Sequence, residues 1–392
     1  MNMGAFSFIC PICGNSDQNT IGKRNGKYYC RKCISFRGQE VIPIAEEEKD
    51  VSWNLSYELS EDQARLSNDL LQNYKKKINS LVNAVCGSGK TEIVLRVIAF
   101  ALSHGKKVGF TVPRRDVIIE LSDRFRNIFS QNTVALVYGE NSKTLVADLI
   151  CCTTHQLFRY PNYFDLLIID EIDAFPFYQN EVLNAFFHRS IKGNYIMLSA
   201  TPSPEFIFDF KKEGGDVLEL FSRFHLYPLP IPEVLIIPKA VQIFECYRLI
   251  RKYIENGKSV FVFTPTIKIC EDLFDGLRFF IRGGNYVHSK RKNRERIIKD
   301  FKEKKFKYLI TTAVLERGVT IKGLQVIVFQ ANHNIYSSYS LIQIAGRVGR
   351  KKEEPEGKVI FLTNENNNEI EKCIRSIEGA NKNLQNLLKT DT

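Results

Sequence analysis

Short apolar runs rich in β-branched and aromatic residues alternate along the chain with longer stretches whose apolar positions recur at helical spacing. In the first such block SLVNAV, KVGFTV, TVALVYG, ADLICCTT, DLLIID and YIMLSAT read as buried strands, since their apolar positions are nearly continuous. A second block begins near residue 240, with SVFVFTP, KYLITT, QVIVFQ and KVIFLT as its strands. Strands separated by helices predict parallel sheets covered on both faces, and 392 residues exceed one compact core. The expected fold class is α/β, two parallel-sheet domains in tandem. Pro228, Pro230, Pro232 and Pro238 read as a hinge between them, and VIPIAEEEKDVSWN as a linker ahead of the first. The chain divides into a small module at 1–40, a linker at 41–54, domains at 55–235 and 236–365, and a helical tail at 366–392. That tail either packs on the second domain or docks a partner.

Hydrophobic residues at 44% and charged residues at 25% match ordinary globular usage, which excludes disordered and fibrous classes. Lys plus Arg number 55 against 44 Asp plus Glu, and the net +11 favours a polyanionic partner without choosing DNA or RNA. No apolar run reaches the roughly 18 residues that span a bilayer. The N-terminus shows no basic leader followed by an apolar segment, so the expected location is cytoplasmic, where thiols stay reduced.

Cys10 and Cys13 are separated from Cys30 and Cys33 by sixteen residues, a spacing suited to two knuckles gripping one Zn²⁺ as thiolates. Gly22, Gly26, Tyr28 and Tyr29 suggest a hairpin leading into the second pair. A redox CxxC or structural disulfides are the competing readings. Lys23, Arg24, Lys27, Arg31, Lys32 and Arg37 interleave with Tyr28, Tyr29 and Phe36, a mixture that suits nucleic acid and equally a structural knob on another domain. Four thiolates leave no open coordination position, which excludes a catalytic zinc.

The segment Ala84-Val85-Cys86-Gly87-Ser88-Gly89-Lys90-Thr91 follows the strand SLVNAV and precedes the helical run EIVLRVIAFAL, the context of a phosphate-binding loop. Gly87 and Gly89 let backbone N–H groups turn toward phosphate oxygens, Lys90 is placed for the β and γ phosphates, and the Thr91 hydroxyl for Mg²⁺. Asp170-Glu171 ends the strand DLLIID, where ligands sit in open α/β sheets. Asp170 is expected to hold Mg²⁺ through water and Glu171 to orient the water that attacks the γ-phosphate. Ser199 and Thr201 of the SAT triplet are expected to hydrogen-bond the acidic box and report nucleotide state. The second block carries Thr311-Thr312-Ala313-Val314-Leu315-Glu316-Arg317-Gly318 and Gln343-Ile344-Ala345-Gly346-Arg347-Val348-Gly349-Arg350. If the two domains face each other, Arg347 and Arg350 can stabilise transition-state charge on the γ-phosphate; read alone, the motif is a basic surface turn.

This order of motifs resembles the superfamily-two helicases, with a two-lobed RecA-like core over about residues 55–365. The four-cysteine module, DEIDAFP at Asp170 to Pro176, LERGVT at Leu315 to Thr320 and QIAGRVGR are similar, more closely, to late competence proteins of the ComFA family. The resemblance covers nearly the whole chain. It implies an ATP hydrolase and DNA translocase that draws incoming single-stranded DNA through a ComEC-type membrane channel with a ComFC-type partner. It also implies nucleotide contacts from Gln63, Ala84, Cys86, Ser88 and Gly318, the Gln63 amide meeting adenine, and a catalytic place for Gln343. Thr320 stands where DEAD-box proteins usually carry aspartate.

Pro113-Arg114-Arg115, Thr153-Thr154-His155 and Thr264-Pro265-Thr266 resemble helicase segments that contact a nucleic-acid backbone, through Arg114, Arg115, Thr153, Thr154, His155, Thr264 and Thr266. For the TTH segment a satisfied strand cap is an equal reading. Residues 282–307 hold eleven Lys or Arg against three acids, a local +8, which is either a solvated face or a source of attraction to DNA. Two other functions share these features: a duplex-unwinding repair or restart helicase, and a non-catalytic zinc-ribbon DNA adaptor with a decayed nucleotide domain.

Overall fold

The computed structural model describes residues 8–36, 38–43, 48, 50–55, 57–139, 141–174, 176–221, 223, 227–312, 321–350 and 353–390. It separates into two compact units, Met1–Ala84 with Gly89–Leu220, and Val85–Ser88 with Phe221–Thr392.

The first unit begins with an antiparallel hairpin of β1 (Ile21–Arg24) and β2 (Lys27–Cys30), joined by Asn25 and Gly26 at φ 49° and 77°. Two successive left-handed residues make the tight turn that matches strand twist, which explains the Asn-Gly pair. Helix α1 (Glu61–Lys75) starts on a capping box in which the Gln63 N–H donates to the Ser60 hydroxyl and the Ser60 N–H donates to Gln63 Oε1. There follow β3 (Ser80–Ala84), α2 (Lys90–Ile93), α3 (Leu95–Ser103), β4 (Val108–Val112), α4 (Arg115–Ile128), β5 (Val134–Val137), β6 (Leu149–Thr153), β7 (Phe164–Asp170), α5 (Glu181–Ser190), β8 (Ile191–Ser199), α6 (Pro204–Lys212) and β9 (Asp216–Leu220). The sheet runs β5-β6-β4-β7-β8-β3-β9, all parallel. Successive residues of β7 serve opposite cores, Leu166 and Ile168 facing α3 and α4 and Leu167 and Ile169 facing α5, as the two-residue period of a strand demands. Hence both faces need apolar side chains.

In the second unit β10 (Glu233–Ile236), α7 (Lys239–Glu255), β11 (Ser259–Phe263), α8 (Ile267–Leu277), β12 (Gly284–Val287), α9 (Arg294–Lys302), β13 (Tyr308–Thr311), β14 (Leu324–Val328), α10 (Ser338–Ala345), β15 (Val359–Thr363) and α11 (Asn368–Thr390) form a parallel sheet of order β10-β15-β14-β11-β13-β12. The tail helix α11 buries Ile370, Cys373, Ile377 and Leu384, and Asn381 both accepts from the Leu229 N–H at 2.8 Å and donates to its carbonyl at 2.9 Å.

All ten runs read as strands are strands, and the α/β class with two parallel sheets holds. Three further strands, β9, β10 and β12, each lie at a sheet edge and are only partly covered. Strand β10 lies inside the proline-rich stretch expected to be a hinge, pairing with β15, and the units divide at Leu220 and Phe221, ahead of the expected boundary at 235 and 236. The expected linker is also partly anchored: the Val41 N–H donates to the Arg159 carbonyl at 2.7 Å, and Val51, Trp53 and Leu55 pack on the first core. Among the described residues no helix is long and apolar enough to cross a membrane.

Candidate active site

Strands β7, β8 and β3 are neighbours, so the acidic box after β7, the SAT triplet after β8 and the glycine loop after β3 emerge side by side at one sheet edge. Gly87 and Gly89 have φ of +84° and +82°, the left-handed region that L side chains avoid. A Cβ at Gly89 would lie 2.4 Å from Gln63 Nε2, a side-chain tip that can shift, so it is the left-handed φ that requires glycine there. Lys90 donates from Nζ to the Ala84 carbonyl at 2.8 Å, drawing its side chain back over the loop. Ala84, Cys86 and Ser88 are buried, and Thr91 is half-buried at the start of α2. Gln63 thus sits against the phosphate loop with its amide oxygen serving the capping box.

Asp170 is buried, and Glu171 stands at φ +65°, a conformation costly for a non-glycine residue. Its N–H donates to the Leu198 carbonyl at 3.0 Å, which pins the turn to β8. Burial pushes the Glu171 carboxyl well above the usual range and the charges of Asp170 and Asp173 push further, while Arg114 and Lys90 pull it back. Asp170 offers a carboxylate oxygen, the donor type that a hard divalent cation such as Mg²⁺ takes, and such a cation would offset this repulsion. The SAT hydroxyls meet one particular member of the box: Ser199 Oγ and Thr201 Oγ1 each donate to Asp173 Oδ2 at 2.9 Å. Burial raises the Asp173 carboxyl, and those two hydroxyls pull it back. Motif spacing does not single out Asp173; its position two residues beyond Glu171 is the only available signal.

In the second unit Gln343 is buried on α10, Arg347 is fully buried in the turn after it, and Arg350 donates from Nε to the Gly346 carbonyl at 2.9 Å. Gly318, with Glu316, Arg317 and Thr320, lies outside the described residues. Gly349, at φ +68°, has no room for a Cβ, which would meet the Pro355 carbonyl oxygen at 2.0 Å.

The four cysteines come together, their Sγ atoms all within 4.8 Å, with Cys10–Cys33 at 3.5 Å and Cys13–Cys30 at 3.7 Å. A ZnS₄ tetrahedron with Zn–S near 2.3 Å has S–S edges of about 3.8 Å, so the cluster fits zinc. These separations are too long for disulfides, and all four thiols are free. Burial pushes the Cys13 thiol up to about 11, which only a bound cation would reverse near neutrality. The module is docked on its own unit. Phe36 packs on Phe186 edge-on at 5.0 Å, on Phe158 at 6.3 Å and stacks on the His155 ring at 5.9 Å, and Lys32–Glu181 and Glu40–Arg189 pairs flank it.

Several residues expected to touch nucleic acid are buried or have partners within the fold. Thr153 and Thr154 are buried, and His155 is engaged by Phe36 with its pKa lowered by burial. Thr264 is fully buried with its hydroxyl donating to the Thr311 carbonyl at 3.2 Å, and Thr266 caps α8 by accepting the Ile269 N–H at 3.2 Å. The Thr264 hydroxyl and N–H both donate to the Thr311 carbonyl and Pro265 has no N–H, so the donors that segment can offer are those of Thr266, whose hydroxyl oxygen accepts at the cap but keeps its proton. Arg115 is exposed and lies over the Tyr138 ring at 4.5 Å, and Arg114 precedes α4 near Glu171.

Fold and site together define an ATP-hydrolysing enzyme of the superfamily-two helicase type, binding DNA and ATP with Mg²⁺. Residues 56–204 match the family described as Type III restriction enzyme, res subunit, and residues 244–352 match the Helicase conserved C-terminal domain. The structure of S. cerevisiae Dbp5 bound to RNA and ADP BeF3 shares the fold at TM-score 0.62 and 16% identity, over 82% of this chain and 91% of that one. The chain belongs to the ComFA family: it is 34% identical to Competence protein ComFA of Bacillus subtilis (strain 168), over 91% of this chain and 81% of that protein. Identity to Competence protein ComFA of Streptococcus pneumoniae (strain ATCC BAA-255 / R6) is 35%, over 91% and 86%.

Proposed function

We propose that this protein is an ATP-driven translocase on single-stranded DNA that serves DNA uptake in bacterial competence. The observation that carries the reading is the convergence at one sheet edge of the glycine loop, the Asp170-Glu171 pair and the Ser199–Asp173–Thr201 bridge. In this reading loop N–H groups and Lys90 grip the phosphates, Glu171 orients the attacking water, and the hydroxyl bridge to Asp173 reports the nucleotide state to the strand-gripping loops. Mg²⁺, held by Thr91 and Asp170, would supply charge neutralisation on the β and γ phosphates. Gln343, Arg347 and Arg350 contribute polar and positive groups to the transferring phosphoryl, and Gly318 a nucleotide contact. Cys10, Cys13, Cys30 and Cys33 hold a structural Zn²⁺. Arg114, Arg115, the segment Thr153 to His155 and the segment Thr264 to Thr266, through Thr266, follow the strand backbone, helped by the positive 282–307 segment. The domains proposed are the module at 1–40, the linker at 41–54, the two lobes at 55–235 and 236–365, and the tail at 366–392, working from the cytoplasm with a ComEC-type channel and a ComFC-type partner.

The test is the ATPase rate with matched single-stranded DNA, duplex DNA and RNA. Single-stranded DNA should stimulate most and Lys90→Ala should abolish turnover. Wild-type turnover by Lys90→Ala, or a wild-type rate that no nucleic acid changes, contradicts the reading.

A further inference from the structure

Arg223 is among the largest fully buried side chains of the protein and belongs to none of the motifs above. It stands in the chain between β9 and β10, in the second unit. Its guanidinium serves two loops: Nε donates to the Cys86 carbonyl of the glycine loop at 3.3 Å, while Nη1 donates to the Val348 carbonyl at 3.0 Å and to the Gly349 carbonyl at 3.1 Å, and Nη2 to the Gly346 carbonyl at 3.4 Å. Gly346 is the C-cap of α10, and the loop that it opens carries Arg347 and Arg350. Carbonyls at a helix C-terminus lack intrahelical donors and carry the negative end of the helix dipole. A planar fork of five N–H donors answers several of them at once, which an ammonium cannot do in the same geometry.

Two details tie this buried cation to its neighbour. Arg350 Nε donates to the same Gly346 carbonyl that Arg223 Nη2 approaches. Burial and the Arg350 charge pull the Arg223 pKa down to about 10, so two cations are held close together by shared carbonyls against their own repulsion. Gly349 lets the loop pass close to the Pro355 carbonyl, where its positive φ and that carbonyl admit no side chain.

We infer that Arg223 is a positioning residue for phosphoryl transfer: by clamping the carbonyls of Gly346, Val348 and Gly349 it fixes the loop that presents Arg347 and Arg350. The inference rests on the catalytic reading of those two arginines. Its effect on turnover runs through that loop, and any change in ATP capture would come through the Cys86 carbonyl instead.

The experiment measures DNA-stimulated ATPase of the full chain for Arg223→Met, Arg223→Lys, Arg347→Ala, Arg350→Ala and the double variant Arg223→Met/Arg350→Ala, with thermal unfolding of each. Arg223→Met should lower kcat about tenfold or more, a larger factor than any rise in KM for ATP, and Arg223→Lys should fall between it and wild type. The double variant should be no more than about twofold slower than the slower single, because both act on one loop. Should Arg223→Met fail to fold, the Lys variant at an unchanged melting temperature decides: lowered kcat supports the inference and a wild-type rate overturns it. With Arg350→Ala slow, a wild-type kcat in the folded Arg223 variants, or losses that multiply in the double variant, overturns the inference alone. If Arg350→Ala and Arg347→Ala both turn over at the wild-type rate, the catalytic reading itself fails and this inference with it.

Discussion

Glu171 combines a left-handed backbone with a buried carboxyl crowded by Asp170 and Asp173. A position so unfavourable for stability is where a strained, high-energy site belongs. Glu171→Gln should keep nucleotide binding, read by a fluorescent ATP analogue, and lose about 10²-fold or more in kcat, the size of a general-base contribution. His155 allows a test with a definite sign. Burial lowers its pKa below 6.5, so the unfolded chain binds the proton more readily than the folded one. The corresponding stability is present above about pH 6.5 and is lost as pH falls through the lower folded value. His155→Phe, which keeps a ring against Phe36, should therefore show a smaller drop in melting temperature between pH 7.5 and 5.5 than the wild type. An identical pH profile would place the lost stability elsewhere.

Among elements, the phosphate loop and the acidic box are legible from sequence because each is a contiguous segment at a strand end, and strand plus loop dictate where it points. The pairing of the SAT hydroxyls with that box is legible too, though not which carboxylate takes them, and the Arg223 clamp is not legible, since it joins residues over 120 positions apart and no local pattern encodes that pairing. Edge strands escape for a related reason: β12, half-covered, shows neither a continuous nor a clean alternating pattern. The zinc module is an element whose stability comes from two sources, its metal and its apolar dock. Chelation, or Cys33→Ser, should open residues 8–36 to proteolysis while leaving the cleavage pattern of the rest unchanged. Phe36→Ala should weaken docking by about 2 kcal/mol, below the value for a fully buried phenylalanine because this ring is half-exposed. Its readout is faster cleavage near the module with zinc content preserved.

At the scale of the whole molecule, composition anticipates the polyanionic partner, while the choice of single-stranded DNA rests on the family. The positive excess over residues 282–307 falls on β12, α9 and the segments beside them. Lys290 and Lys292 are exposed there, outside the catalytic edge. If both touch phosphate, Lys290→Ala/Lys292→Ala should reduce the slope of log affinity against log salt by about 1.4, at roughly 0.7 per contact on a single strand. An unchanged slope assigns these lysines to a solvated face.

Movement along the strand is the central claim, and stopped-flow fluorescence on single-stranded oligonucleotides of increasing length, labelled at one end, measures it directly. The account predicts an ATP-dependent lag that grows linearly with length, and its disappearance in Lys90→Ala. A signal independent of length, with ATP still hydrolysed, would show an ATPase that binds DNA without travelling along it and would contradict the account.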